Sequence, residues 1–292
     1  MNIFEQYPNS RFLHDLPNDS EFFPLRKRIT DLFSFFDDLA DPNFQQELDG
    51  NHPHAPLWEM MLAKILKSEG YQPIRANSGP DFVVEQDGKK IFIEATCPMT
   101  GEEGKPDSVP PILCGAPIAQ DVPEESIVLR ICNALKKKTE QYAQFLDKGI
   151  VSADDIYVIA ICSSRIDSAG GLWPPVILRA THGLGNPYVI VDRDQGVVGE
   201  GIESRDTIPK ASGAKVDTTF FLSEDNSSIS AVLYSDCSFF SFPFDLYENS
   251  MCVHNPKARV PLHPGFIKRI EHIWTIYCHG TSQWRAYRIN SA

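Results

Sequence analysis

No part of the chain approaches the ~18 consecutive apolar residues that a membrane-spanning helix needs. The opening "MNIFEQYPNS" lacks the basic and apolar regions of a secretory signal, so the expected location is cytoplasmic and no membrane partner is expected. Positive charge is scarce: 27 Lys and Arg stand against 39 Asp and Glu, a formal net charge of −12 and a pI near 5.1. Wrapping a phosphate backbone usually needs a broad basic surface, which this balance argues against. A local basic groove or a bound divalent metal can still offset an acidic remainder. The seven cysteines are scattered singly, with no Cys-x-x-Cys and no Cys/His ligand spacing. That pattern predicts reduced thiols buried as small hydrophobes, and no zinc site. The Gly-x-Gly of "GLGNP" (183 to 187) lacks the third glycine of a dinucleotide fingerprint and precedes a strand, so it reads as a turn. The sequence contains no internal repeat and no low-complexity segment.

What is present suits a globular protein. A chain of 292 residues, 42% hydrophobic and 11% aromatic, can bury a sizeable core. Residues 20 to 39 place Leu25, Ile29, Leu32, Phe33, Phe36 and Leu39 at helical spacing, with Ser20 as a cap. After the polar "DGNHPHAP", the stretch "LWEMMLAKILKSEG" predicts a second helix with Leu57, Met61, Leu62, Ile65 and Leu66 inward and Glu59 in its first turn. A strand is expected at 71 to 75, and "GPDFVVEQDGKKIFIEAT" (79 to 96) reads as a hairpin turning at Asp87-Gly88. Residues 97 to 123, rich in Pro and Gly, read as a binding loop or lid lying over the site. "PEESIVLRICNALKKKTEQYAQFLDKG" predicts a long amphipathic helix, and "DIYVIAICSS" (155 to 164) a buried central strand. Further strands are expected at 187 to 192, 216 to 222, 229 to 234 and in "WRAYRI".

Two carboxylates stand where strand packing would prefer apolar side chains. Alternation puts Ile91, Ile93 and Ala95 on one face of the second hairpin strand and Phe92, Glu94 and Thr96 on the other. The hairpin makes Asp81 and Glu94 neighbours. They read either as a metal-binding pair or as a hairpin-end carboxylate and a strand-end acid paired with a nearby lysine. Glu59 alone says less, because the helix macrodipole favours an acid in a first turn whatever the function. At 100° per residue, Lys138 falls within the apolar stripe of Ile131, Leu135 and Tyr142, with Lys136 on the outer face and Lys137 and Gln141 at the border. Lys138 therefore points at the sheet, or snorkels past the stripe to water. His52 and His54 read as surface residues, and His254 stands without the rest of an HNH nuclease motif.

This constellation resembles the PD-(D/E)XK nuclease superfamily over roughly residues 54 to 164: a helix with Glu59, then Pro80-Asp81, an apolar strand ending Glu94-Ala95-Thr96, a helix and a buried strand. The resemblance implies an α/β fold with a restriction-endonuclease-like core of helix, three strands, helix and strand. An N-terminal helical appendage (1–50) would precede the core (51–165), and a β-rich extension (166–292), separate or part of the same domain, would follow it. It implies magnesium, for which manganese can substitute, held by Asp81, Glu94, the Ala95 carbonyl and Glu59. Thr96 stands where the family carries its lysine. Relatives with that lysine moved to the helix give Lys138 a precedent, and Gln141 to Phe145 echoes the Gln-x-x-x-Tyr of some exonuclease branches. Asp81, Glu94, Lys138 and Gln141 are then the catalytic candidates. The implied partner is nucleic acid, DNA rather than RNA, and a homodimer is compatible with it. The competing expectation is a fold member without catalysis that binds nucleic acid or protein. A third reading makes Cys97, beside Glu94, a nucleophile.

Overall fold

The computed structural model describes residues 2–16, 19–50, 53–75, 78–111, 121–166, 168–241, 244–277 and 284–289. Four short helices open the chain: α1 (Ile3–Gln6), α2 (Arg11–Asp15), α3 (Phe23–Phe33) and α4 (Phe44–Leu48). There follow α5 (His54–Ser68), β1 (Phe82–Gln86), β2 (Lys89–Thr96), the long α6 (Glu124–Asp147) and β3 (Ile156–Cys162). Beyond these come α7 (Val176–His182), β4 (Leu184–Asp192), β5 (Gly196–Ser204), β6 (Thr207–Pro209), β7 (Lys215–Asp217), β8 (Ala231–Ser235), β9 (Ser250–His254), β10 (Glu271–Tyr277) and β11 (Trp284–Ile289).

The protein is mixed α/β. Seven strands form one sheet in the order β1-β2-β3-β8-β9-β10-β11. β2 runs parallel to β3, and β3 to β8, while β1/β2, β8/β9 and β10/β11 pair antiparallel. Parallel neighbours need a crossover, which α6 supplies between β2 and β3. Every residue of β3 is buried because helices cover both sheet faces. On one face Ile91, Ile93, Val158 and Ala160 pack with Ile29 and Phe33 of α3 and with Met61 and Leu62 of α5. On the other, Phe92, Tyr157, Ile159 and Ile161 pack with Ile127, Ile131 and Leu135 of α6 and with Ile177 of α7. No helix among the described residues is long and apolar enough to cross a membrane.

Local signals account for several of these boundaries. β1 and β2 join through Asp87 and Gly88, both at positive φ (53° and 75°), as a two-residue hairpin turn with the native strand twist requires. α6 starts after Pro123 with Glu124 and Glu125 in its first turn, where they complement the macrodipole. It ends in a Schellman motif: Gly149 lies at φ 67°, its N–H donates to Leu146 O, and Ile150 N–H donates to Phe145 O.

Five expectations are corrected. The strand at 71 to 75 shrinks to a single bridge, Ile74 with Val83. The helix expected over 20 to 39 is regular only through Phe33, after which the chain tightens so that Phe36 and Leu39 still reach the core. Glu59 lies in the second turn of α5, because that helix starts at His54. The strand at 216 to 222 stops at Asp217, where the chain turns so that Phe221 N–H reaches Thr181 O and its ring is fully buried. Only Gly183 of "GLGNP" is turn-like, at φ 62°; β4 begins at Leu184 and absorbs Pro187 at a register shift. β4 and β5 form a separate antiparallel ribbon on which Val189, Val191, Val197 and Val198 are exposed.

Candidate metal centre

The β1/β2 register sets Phe82 opposite Ile93, so the next pair outward is Asp81 and Glu94. Pro80 precedes them. Asp81 Oδ2 accepts the Ala95 N–H at 2.7 Å, which ties the carboxylate to the end of β2. Glu94, 3% exposed, points to the α6 face of the sheet along with Phe92. There its Oε1 lies 2.6 Å from Lys138 Nζ, which also donates to Gln141 Oε1 at 3.2 Å. The relation of Gln141 to Lys138 is the i, i+3 spacing of one helix face. Lys138 thus points at the sheet, as its angle on the helix requires, and Lys136 lies outside against Glu140. Thr96, half-buried, ends β2.

A second group of charges adjoins the first. Arg75 Nη1 lies 2.8 Å from Glu59 Oε2, while its Nη2 lies 3.2 Å from Asp41 and 3.9 Å from Asp81. Asp81 therefore belongs to both groups. Arg75 is a site residue that the sequence reading does not find. Its signal is faint, since a lone arginine after Ile74 has no periodicity to mark it.

Four carboxylates, Asp41, Glu59, Asp81 and Glu94, here face two cations, Arg75 and Lys138. With every acid ionised the excess is two negative charges, held where water is largely excluded. Burial raises the Glu94 carboxyl to about 7, with the Asp81 charge adding to the effect and Lys138 opposing it. Burial and Asp81 together raise Glu59 to about 8 against the pull of Arg75. Asp81 is raised by burial, against the Ala95 N–H and Lys138. Arg75 itself is desolvated, but Glu59, Asp41 and Asp81 outweigh that and hold its proton more firmly.

Such an excess suits a divalent cation. Glu94 Oε2 is buried and accepts no hydrogen bond, so one hard oxygen beside Asp81 has no partner within the protein. Magnesium takes oxygen ligands from one or two carboxylates, with waters completing the shell. The Asp81 and Glu94 carboxylates and the Ala95 carbonyl fit that donor set. Among the described residues the oxygens of Glu59, Asp81 and Glu94 do not all approach within 4.8 Å of one another, and Arg75 holds Glu59, so the three acids do not close into one ligand set.

The remaining candidates lie elsewhere. His52 is outside the described residues, and His54 is the first residue of α5, with its carbonyl accepting from the Cys97 thiol at 3.4 Å. The Cys97 thiol is raised well above its ordinary value by its hydrogen bond with Cys162 and by burial, which opposes a nucleophilic role. The described part of the loop expected to cover the site is fastened elsewhere: Asp107 O accepts from Arg130, two turns of α6 before Lys138, and Asp107 Oδ1 accepts from Ala211 N–H. Residues 112–120 of that loop lie outside the described residues. Comparison of the chain with protein-family models, with curated proteins and with solved structures found no match.

Proposed function

We propose that the protein is a magnesium-dependent nuclease with a restriction-endonuclease-like core, hydrolysing phosphodiester bonds in nucleic acid, DNA rather than RNA. The observation that carries this reading is Lys138 Nζ at 2.6 Å from Glu94, on the strand that Asp81 caps. An ammonium group beside the second acid supplies the charge that Thr96 cannot. The order α5, bridge at Ile74, β1, β2, α6, β3 agrees with the core that the sequence resembles.

In this reading Asp81, Glu94 and the Ala95 carbonyl would hold the ion, with Glu59 an outer acid. Magnesium bound there would lower the pKa of a coordinated water and neutralise charge gathering on the phosphate. Lys138 orients the attacking water and offers it a positive neighbour. Gln141 holds the Lys138 ammonium in place. Arg75 keeps Asp81 and Glu59 from repelling each other.

A second reading rests on the same ion pairs: Arg75 and Lys138 already engage Glu59 and Glu94, as they would in a catalytically inactive module that binds nucleic acid or protein. Incubating the purified chain with single- and double-stranded DNA and RNA, with and without magnesium or manganese, separates the two. The nuclease reading expects metal-dependent cleavage that Asp81→Ala abolishes. No cleavage of any substrate, together with no metal binding at millimolar concentration, would favour the module.

A further inference from the structure

We propose that Cys252, His254 and His272 form a second metal site, a buried one that takes a single zinc ion between β9 and β10. Cys252 and His254 are two apart on β9 and so share a face, and the parallel register places His272 of β10 beside Cys252. One ligand atom from each lies within 4.8 Å of the others. The three residues are 0%, 1% and 2% exposed. A thiol and two imidazoles are the mixed sulfur and nitrogen donors that zinc prefers and magnesium does not.

The hydrogen bonds fix the protons. His272 Nε2 lies 2.8 Å from Ile267 O, a carbonyl that can only accept, so Nε2 carries the hydrogen and Nδ1 a lone pair. His254 Nε2, 2.8 Å from that Nδ1, must then donate, which leaves a bare lone pair on His254 Nδ1. That atom is buried without a partner. It can take the proton that an ion seated between the two rings would displace from Nε2. The His272 N–H to Ile267 is also the outer hydrogen bond that orients most metal-bound imidazoles. Trp274 stacks on the His254 ring at 4.0 Å and 11°, fixing its plane.

An ion replacing the shared proton would hold both nitrogens at roughly 2.0–2.1 Å, and tetrahedral geometry then sets them about 3.3 Å apart. The imidazoles therefore separate slightly from their 2.8 Å contact. The displaced proton moves to His254 Nδ1, and the Cys252 proton leaves to solvent, so binding releases one proton. Glu69 supplies balancing charge: it acts on His272, and its Oε1 is buried without a hydrogen-bond partner. Thiolate and carboxylate together neutralise the dication. Alternation along β9 is the sequence signal for this site, but it becomes informative only once β10 is known to lie alongside.

The test uses the full-length protein, stripped with chelator and titrated with cobalt(II), whose thiolate charge-transfer and tetrahedral d–d bands report the donor set. We expect one cobalt per chain, displaced by zinc but not by excess magnesium. Cys252→Ser, nearly isosteric, should remove the charge-transfer band and weaken binding more than ~100-fold, beyond the loss typical of outer partners. Cys97→Ser should leave both unchanged. Metal content of the untreated protein by native mass spectrometry gives an independent reading, with zinc expected at one per chain. Absence of the band from folded, unmutated protein would overturn the proposal. So would a band that survives Cys252→Ser and disappears with Cys97→Ser.

Discussion

Lys138 and Glu94, separated by 44 residues and lying on different elements, meet at 2.6 Å across the interface between α6 and β2. Their side chains are 13% and 4% exposed, so neither charge has water to fall back on. Lys138→Met and Lys136→Met each remove one positive charge from the same helix, but only the first strands Glu94. In a magnesium-dependent cleavage assay Lys138→Met should lower the rate about 10²–10⁴-fold, as for other positioned acid–base groups. Lys136→Met should change it little. Equal small effects would mean that the lysine run acts only as a diffuse phosphate attractor.

The contribution of Glu59 and Glu94 to stability should fall as pH rises through the range in which their raised carboxyls ionise. Unfolded, Glu59 and Glu94 titrate near 4.5; folded, near 8 and 7. Between those values the folded state binds more protons than the unfolded chain, so each step up in pH favours unfolding. Below about 4.5 the contribution is fully present, and above about 8 it is gone. Burial of neutral His182 and His254, lowered from 6.5 to about 3, adds an opposing rise up to about pH 6.5, so the acids are read from a difference: the stability of the unmutated chain minus that of Glu94→Gln, from denaturant midpoints, should decline from pH 5 to pH 8. A difference that climbs over this range would contradict the burial of Glu94.

Divalent metal should reverse that decline. Calorimetric titration with magnesium or calcium should show binding that Asp81→Ala removes, because the variant loses a ligand and also the acceptor for Ala95 N–H. Unchanged binding in Asp81→Ala would place the ion elsewhere.

Removing Arg75 should cost more than removing an exposed cation. Arg75→Met leaves Glu59 buried opposite Asp81, and breaking a buried pair from one side costs on the order of 3 kcal/mol. Lys27→Met, which breaks an exposed pair with Asp31, should cost under about 1 kcal/mol. Pairing Arg75→Met with Glu59→Gln should recover much of the loss, a coupling that a double-mutant cycle measures.

The elements that carry their own punctuation are legible in the sequence. α6 runs between Pro123 and Gly149, and the β1/β2 hairpin turns on Asp87-Gly88, as their residues predict. The inward angle of Lys138 follows from helical geometry alone. What the sequence hides depends on distant partners. The 71 to 75 run has strand composition, but only Ile74 finds a bridge. Arg75 gains its meaning from Asp41, Glu59 and Asp81, three acids spread over 40 residues that no local window brings together. Phe220 and Phe221 look like strand residues, yet Phe221 serves as a plug beneath α7.

The reach of Arg75 also decides how far the chain can be trimmed. Asp41 sits among the first fifty residues, while Glu59 and Asp81 lie beyond them, and one guanidinium spans the divide. A shortened chain beginning at residue 51 would lose that anchor and bare the α5 face that Ile29, Phe33 and Phe36 cover. One ending at residue 165 would strip β8 from β3 and leave an apolar strand edge open to pairing with other molecules. Excised pieces would therefore report on aggregation before they reported on chemistry, and mutational work on the candidate metal centre belongs in the intact chain.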